Sequence, residues 1–153
     1  MILRCYTDGG ARGNPGPAGI GVYICLVDTT PIASYYEYLQ VQTNNFAECF
    51  AVFRLAQLLV KRCGFATKIE IYLDSELVTK QLRGEYKIKN EQLKEIHTKI
   101  RTVLSHITVP ITYTHILREY NSIADSLANK AIDSKSKDFQ WFYQSSGESG
   151  QLR

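Results

Sequence analysis

No apolar run in this 153-residue chain approaches the ~20 residues that span a bilayer, and the N-terminus lacks the profile of a secretory signal. A membrane protein is therefore not expected, and a cytoplasmic one is. Paired or clustered cysteine is equally absent. Cys5, Cys25, Cys49 and Cys63 fall singly on predicted strands and a helix, with no C-x-x-C and no Cys/His cluster. That spacing argues against a zinc site and a disulfide frame, so the four are read as buried reduced thiols. Strong charge of either sign is missing too: a net charge of +3 neither demonstrates nor opposes a nucleic-acid partner. There is no internal repeat and no linker between two composition types. One domain over residues 1–138 is expected, followed by a partly docked tail, 139–153.

What is present is organised around Tyr6-Thr7-Asp8-Gly9-Gly10-Ala11-Arg12-Gly13-Asn14-Pro15-Gly16. A short apolar run delivers one aspartate and breaks into glycine and proline, the pattern of a strand ending in a tight, exposed turn. Gly21 to Asp28 and Ile32 to Gln42 read as two further strands, with no room between them for crossover helices, so the first three are antiparallel. Thr43-Asn44-Asn45 caps a helix reaching about Arg62, apolar around nearly its whole circumference and hence buried on most sides. Thr67 to Asp74 alternates as a fourth strand. A short helix over Ser75 to Arg83, a helix from about Glu91 to Ser105, a fifth strand over Ile111 to Leu117 and a last helix capped by Asn121 follow. The order predicts a five-stranded mixed α/β sheet, three strands antiparallel and two parallel, with helices on both faces.

Four acids stand at element boundaries: Asp8 and Asp74 at strand ends, Glu48 and Asp125 in helix first turns. The helix dipole favours an acid in a first turn by about 0.3 to 1 kcal/mol, which accounts for Glu48 or Asp125 singly. It does not account for the set. Parallel neighbouring strands would bring Asp8 and Asp74 to one sheet edge, and Glu48 is one of two charged residues in an apolar stretch. Acids gathered without nearby lysine or arginine repel, and a divalent cation relieves this. All-oxygen ligation points to Mg²⁺ or Mn²⁺. Two such ions about 4 Å apart would activate a water and steady the leaving oxygen of a phosphodiester.

The motifs Tyr6-Thr7-Asp8-Gly9-Gly10 with Gly13-Asn14-Pro15-Gly16, Thr43-Asn44-Asn45-Phe46-Ala47-Glu48, Asp74-Ser75-Glu76-Leu77-Val78 and Arg118 to Asn129 resemble, in order, those of the type 1 ribonuclease H family. The resemblance runs from about residue 1 to 132. It implies a ribonuclease H-like fold and a nuclease that cuts the RNA strand of RNA/DNA hybrids, leaving 5′-phosphate and 3′-hydroxyl ends. Asp8, Glu48, Asp74 and Asp125 would be catalytic ligands to two Mg²⁺ ions, for which Mn²⁺ could substitute. Gly9, Asn14, Asn44 and Asn45 would contact substrate, the asparagines reading 2′-hydroxyls and base edges in the minor groove. Glu76 would meet the RNA strand, and Thr43 and Asn90 a DNA phosphate. A monomer is expected.

In two departures the chain resembles a subgroup of that family. Only Gly84 to Asn90 stands where other members carry a basic protrusion, and no histidine lies between Arg118 and Asp125. Arg118, or Glu119, is expected to fill part of that histidine's role. His97 and His106 read as helix-surface residues. The competing readings are a hybrid-binding module with weak or no catalysis and the nuclease domain of a reverse transcriptase. The four acids weigh against the first, and the Met1 start weighs against the second.

Overall fold

Leu3, Cys5 and Thr7 alternate with Arg4, Tyr6 and Asp8 along β1 (Ile2–Ala11), and a pleated strand sends the two sets to opposite faces. In the computed structural model, which describes residues 1–144, the first set is fully buried. β2 (Gly16–Leu26) and β3 (Pro31–Gln42) pair antiparallel with β1 in a meander, as their short connections dictate. On the other edge of β1, β4 (Lys68–Leu73) runs parallel from Ile2↔Lys68 to Thr7↔Leu73, and β5 (Ile111–His115) runs parallel to β4.

The sheet has six strands, not the five expected. β6 (Lys137–Trp141) pairs antiparallel with β3, giving the order β5-β4-β1-β2-β3-β6. Within a Lys- and Ser-rich tail, five residues are too short a pattern for a strand to be read from sequence, and the edge of β3 supplies the partner. The aromatic run docks through it: Phe139 and Trp141 are half-buried. β6 begins within the expected domain and runs into the expected tail. The residues expected to be loose after it lie outside the described residues.

α1 (Asn44–Arg62) packs across β1 and β2 on the face of Leu3, Cys5, Val22 and Ile24, and α3 (Glu91–Leu104) lies against α1. α2 (Glu76–Leu82) follows β4 directly. α4 (Ser122–Ser134) crosses the opposite face over β2 and β3. Leu55 and Leu59 of α1 and Ile69 and Ile71 of β4 belong to the main core, where each fully buried side chain is worth about 1.5–3 kcal/mol. Two strand glycines set how near the helices come. A Cβ at Gly9 would stand 2.3 Å from the Ala47 carbonyl carbon of α1, and one at Gly21 would stand 2.2 Å from the Ala124 oxygen of α4.

Three local expectations change. β1 does not end at Asp8 but continues to Ala11, paired with Ala18, and the tight turn lies beyond it, closed by Arg12 N–H donating to the Pro17 oxygen at 2.9 Å. The glycines after Asp8 extend the strand because they admit α1 above it. β5 stops at His115. His97 is buried, not on the surface: it falls with Leu93, Ile96 and Ile100 on the i, i+3, i+4, i+7 stripe of α3, its Nε2 3.4 Å from Cys49 Sγ. The four cysteines are buried and unbridged.

Candidate active site

The parallel pairing of β1 with β4 stops at Thr7↔Leu73, so Asp8 and Asp74 lie where the two strands part. Glu48 reaches the same point from α1, because Gly9 lets the Ala47–Glu48 backbone settle onto β1. Carboxylate oxygens of Asp8, Glu48 and Asp74 lie within 4.8 Å of one another. Glu48 stands in the second turn of α1, not the first as expected, and the first turn holds no acid. The dipole explanation therefore does not apply to it. Asp125 is in the first turn of α4. It is not one of the three mutually close carboxylates, but it lines the same cleft of about 610 Å³ together with Arg118.

This arrangement opposes ionisation. Burial, then the charge of Asp74, then Asp125, push the Asp8 carboxyl up to about 8, against a hydrogen bond from the Gly9 N–H at 3.0 Å. Burial, then Asp8 and Asp74, raise Glu48 well above the usual carboxylate range, with Arg118 opposing. Glu48 Oε2 is buried and has no hydrogen-bond donor. An acceptor with no donor, among acids that repel, is what a hard cation satisfies, and the all-oxygen donor set suits the Mg²⁺ and Mn²⁺ class.

Asn121 has a role its sequence position hid. It occupies the residue before α4, as expected, yet its side chain makes no capping bond. Its amide Nδ2 instead donates to the Thr7 carbonyl at 2.9 Å and to Asp74 Oδ2 at 3.2 Å, tying β1 to the aspartate that follows β4. An asparagine before a helix suits either role, and only the fold decides. Arg12 was also missed. From the turn after β1 it pairs with Asp133 at 2.6 Å and donates to Asn129 at 3.1 Å, joining that turn to α4.

Of the substrate-side residues, Asn14 and Asn44 come together: Asn14 Oδ1 accepts from the Asn44 N–H at 3.0 Å, and Asn44 Oδ1 from the Ala11 N–H at 2.8 Å. Asn44 and Gly9 line the cleft. Asn45 is exposed beside them at the start of α1. Thr43 caps α1 by accepting from the Phe46 N–H, and Asn90 caps α3 by accepting from the Leu93 N–H. Glu76 is exposed in the first turn of α2, paired with Lys80 at 3.1 Å. Arg118 is largely exposed, 3.4 Å from Asp125.

A mixed sheet whose parallel strands part at converging carboxylates, with helices on both faces, is a ribonuclease H-like fold. Comparison with known proteins agrees. A family profile described as reverse transcriptase-like matches residues 6–131. A ribonuclease H of Lachnoclostridium phytofermentans is 30% identical over 151 residues, covering 87% of this chain and 93% of the relative. A bifunctional protein of Mycobacterium tuberculosis is 35% identical over 134 residues, covering 87% of this chain but 36% of its own length. The crystal structure of LC11-RNase H1 in complex with RNA/DNA hybrid superposes with a TM-score of 0.81 at 38% identity, covering 87% of this chain and 98% of that one. The chain belongs to the ribonuclease H family. No helix among the described residues is long and apolar enough to cross a membrane.

Proposed function

We propose that the chain is a metal-dependent endonuclease that hydrolyses the RNA strand of RNA/DNA hybrids, leaving 5′-phosphate and 3′-hydroxyl ends. The observation that carries this reading is the convergence of Asp8, Glu48 and Asp74 within 4.8 Å around the unpartnered Glu48 Oε2. Its support from relatives is the hybrid bound by LC11-RNase H1. Asp8, Glu48, Asp74 and Asp125 are the residues to hold two Mg²⁺ ions, or Mn²⁺ in their place. When bound, such ions supply a polarised water and charge relief at the leaving oxygen.

The chain's own residues do the positioning. The Gly9 N–H orients the Asp8 carboxylate, and Asn121 orients that of Asp74. Asn14, Asn44 and Asn45 form an amide-bearing rim, and amides both donate to and accept from a 2′-hydroxyl, the group that marks RNA. Arg118 presents a planar guanidinium beside Asp125, suited to the scissile phosphate. Glu76 is assigned to the RNA strand, and Thr43 and Asn90, each at a helix N-terminus, to a DNA phosphate. The enzyme is read as a cytoplasmic monomer, a domain of residues 1–138 with its tail docked through β6. It falls in the subgroup without basic protrusion or loop histidine.

Cleavage of a labelled RNA strand, paired with DNA or with RNA, tests the reading. The wild type is expected to cut the hybrid only with divalent metal, and Asp74→Asn to lose about a hundred- to a thousandfold in rate, the scale of a missing charge-stabilising group. A hybrid that is bound but never cut would leave only a binding module.

A further inference from the structure

On the α1 face, toward the edge formed by β6, lies a second cavity of about 370 Å³. Its walls are apolar and aromatic, with Val22, Tyr35, Leu58 and Phe139. Its rim is cationic, with Arg54, Lys61, Arg62 and Lys137. Lys61 is thirteen residues along α1 from Glu48, about 20 Å at the helical rise, so the cavity is not part of the carboxylate cleft.

Of these four cations, only Arg54 has an acid in ion-pair contact among the described residues. Glu37 is committed to Arg54, at 2.7 Å, and to the Tyr35 hydroxyl, also at 2.7 Å. Among the described residues no ion pair occupies Lys61, Arg62 or Lys137. Arg62 lies over the rings of Phe139 and Trp141, 5.1 and 5.4 Å from their centroids. The dipole at the end of α1 accounts for Lys61 and Arg62, and Lys137 faces Glu37 across the β3–β6 ladder, but neither accounts for an aromatic wall beneath three cations without an ion pair. A concave site of this size, apolar within and positive at the mouth, fits an anion with a flat apolar body.

We infer that this cavity binds a nucleoside monophosphate, its base against Phe139 and Tyr35 and its phosphate among Lys61, Arg62 and Lys137. Two sources present that chemistry: a free nucleotide, and the 5′-phosphorylated end of a cleaved strand. The second source rests on the function proposed above, and the first does not.

Trp141 is the only tryptophan in the chain and sits beneath Arg62, so its fluorescence reports on the cavity. The full chain is titrated with AMP, adenosine, inorganic phosphate and a 5′-phosphorylated dinucleotide. AMP is expected to give a saturable change with a Kd at least tenfold below those of adenosine and phosphate. The double variant Lys61→Glu/Lys137→Glu should weaken AMP binding at least tenfold while the far-UV circular dichroism and the rate of hybrid cleavage stay unchanged. Lys61→Gln/Lys137→Gln should weaken it by a smaller factor, and serves if charge reversal disturbs folding. Tighter binding of the dinucleotide than of AMP assigns the site to strand ends, and equal or weaker binding assigns it to free nucleotide. Absence of a saturable change, or AMP binding unaltered in both double variants, overturns the inference. Because the AMP titration needs no hybrid, it fails or succeeds independently of the cleavage assay.

Discussion

Glu48 carries a buried oxygen without a donor, beside two other acids, and this is strain that the metal-free fold must hold. Glu48→Gln removes a carboxyl that burial and its acidic neighbours keep from ionising and puts in its place a neutral amide that can donate. With chelator present, the variant is expected to be more stable than wild type by about 1 kcal/mol, or about 2–4 °C in Tm at this size. In magnesium the order should reverse, and hybrid cleavage should be lost; melting curves with and without metal check both. His97 makes the opposite kind of prediction. Burial, with a lesser push from Arg101, lowers it from 6.5 to about 4, so in the folded state it stays neutral beside Cys49. Below pH 6.5 the unfolded chain takes up a proton there that the folded chain refuses until about pH 4. The contribution of His97 to stability is therefore complete above pH 6.5 and lost as the pH falls toward 4, by about 1–3 kcal/mol. Urea midpoints at pH 7 and pH 5 should fall further apart in wild type than in His97→Gln.

At the scale of elements, α1 and β1 are joined where a side chain would not fit. Gly9→Ala places a methyl group against the Ala47 backbone and should destabilise by more than about 2 kcal/mol, moving Glu48 away from Asp8 and sharply reducing cleavage. Gly64→Ala is the control: nothing lies within 4 Å of its added Cβ, and stability and rate should stay near wild type. Denaturant curves and initial rates distinguish the two. How far such elements can be read in advance depended on period and context. The meander and the alternating β4 carry strong periodicities and α1 a long apolar run, so their placement and the meeting of Asp8 with Asp74 were legible before any coordinates, while Glu48 joined them through the resemblance of its motif. The extension of β1 past Asp8 was not, because glycine after a strand signals a turn unless a helix lies over it. His97 was misplaced although its stripe was in plain view, since a histidine on an amphipathic helix is ordinarily on the wet side. Asn121 and β6 depended on partners remote in the chain, Asp74 in one case and the open edge of β3 in the other.

Across the whole molecule four interior strands, β4, β1, β2 and β3, lie between two edges, β5 paired parallel and β6 paired antiparallel. β6 is short and covers β3 with five paired positions. A chain cut after Ser136 exposes that edge, and unpaired edges seek other edges. It should melt several degrees lower and self-associate, measurable by calorimetry and light scattering, while still cutting hybrid at low temperature. Such order from rim to centre has a practical meaning. The three close carboxylates stand on β1, beside β4 and on the helix that seals both, the parts whose amides exchange with solvent most slowly in a structure of this kind. Proteases and brief warming will find the periphery first, and a preparation nicked at its margin will go on cutting until the centre itself lets go.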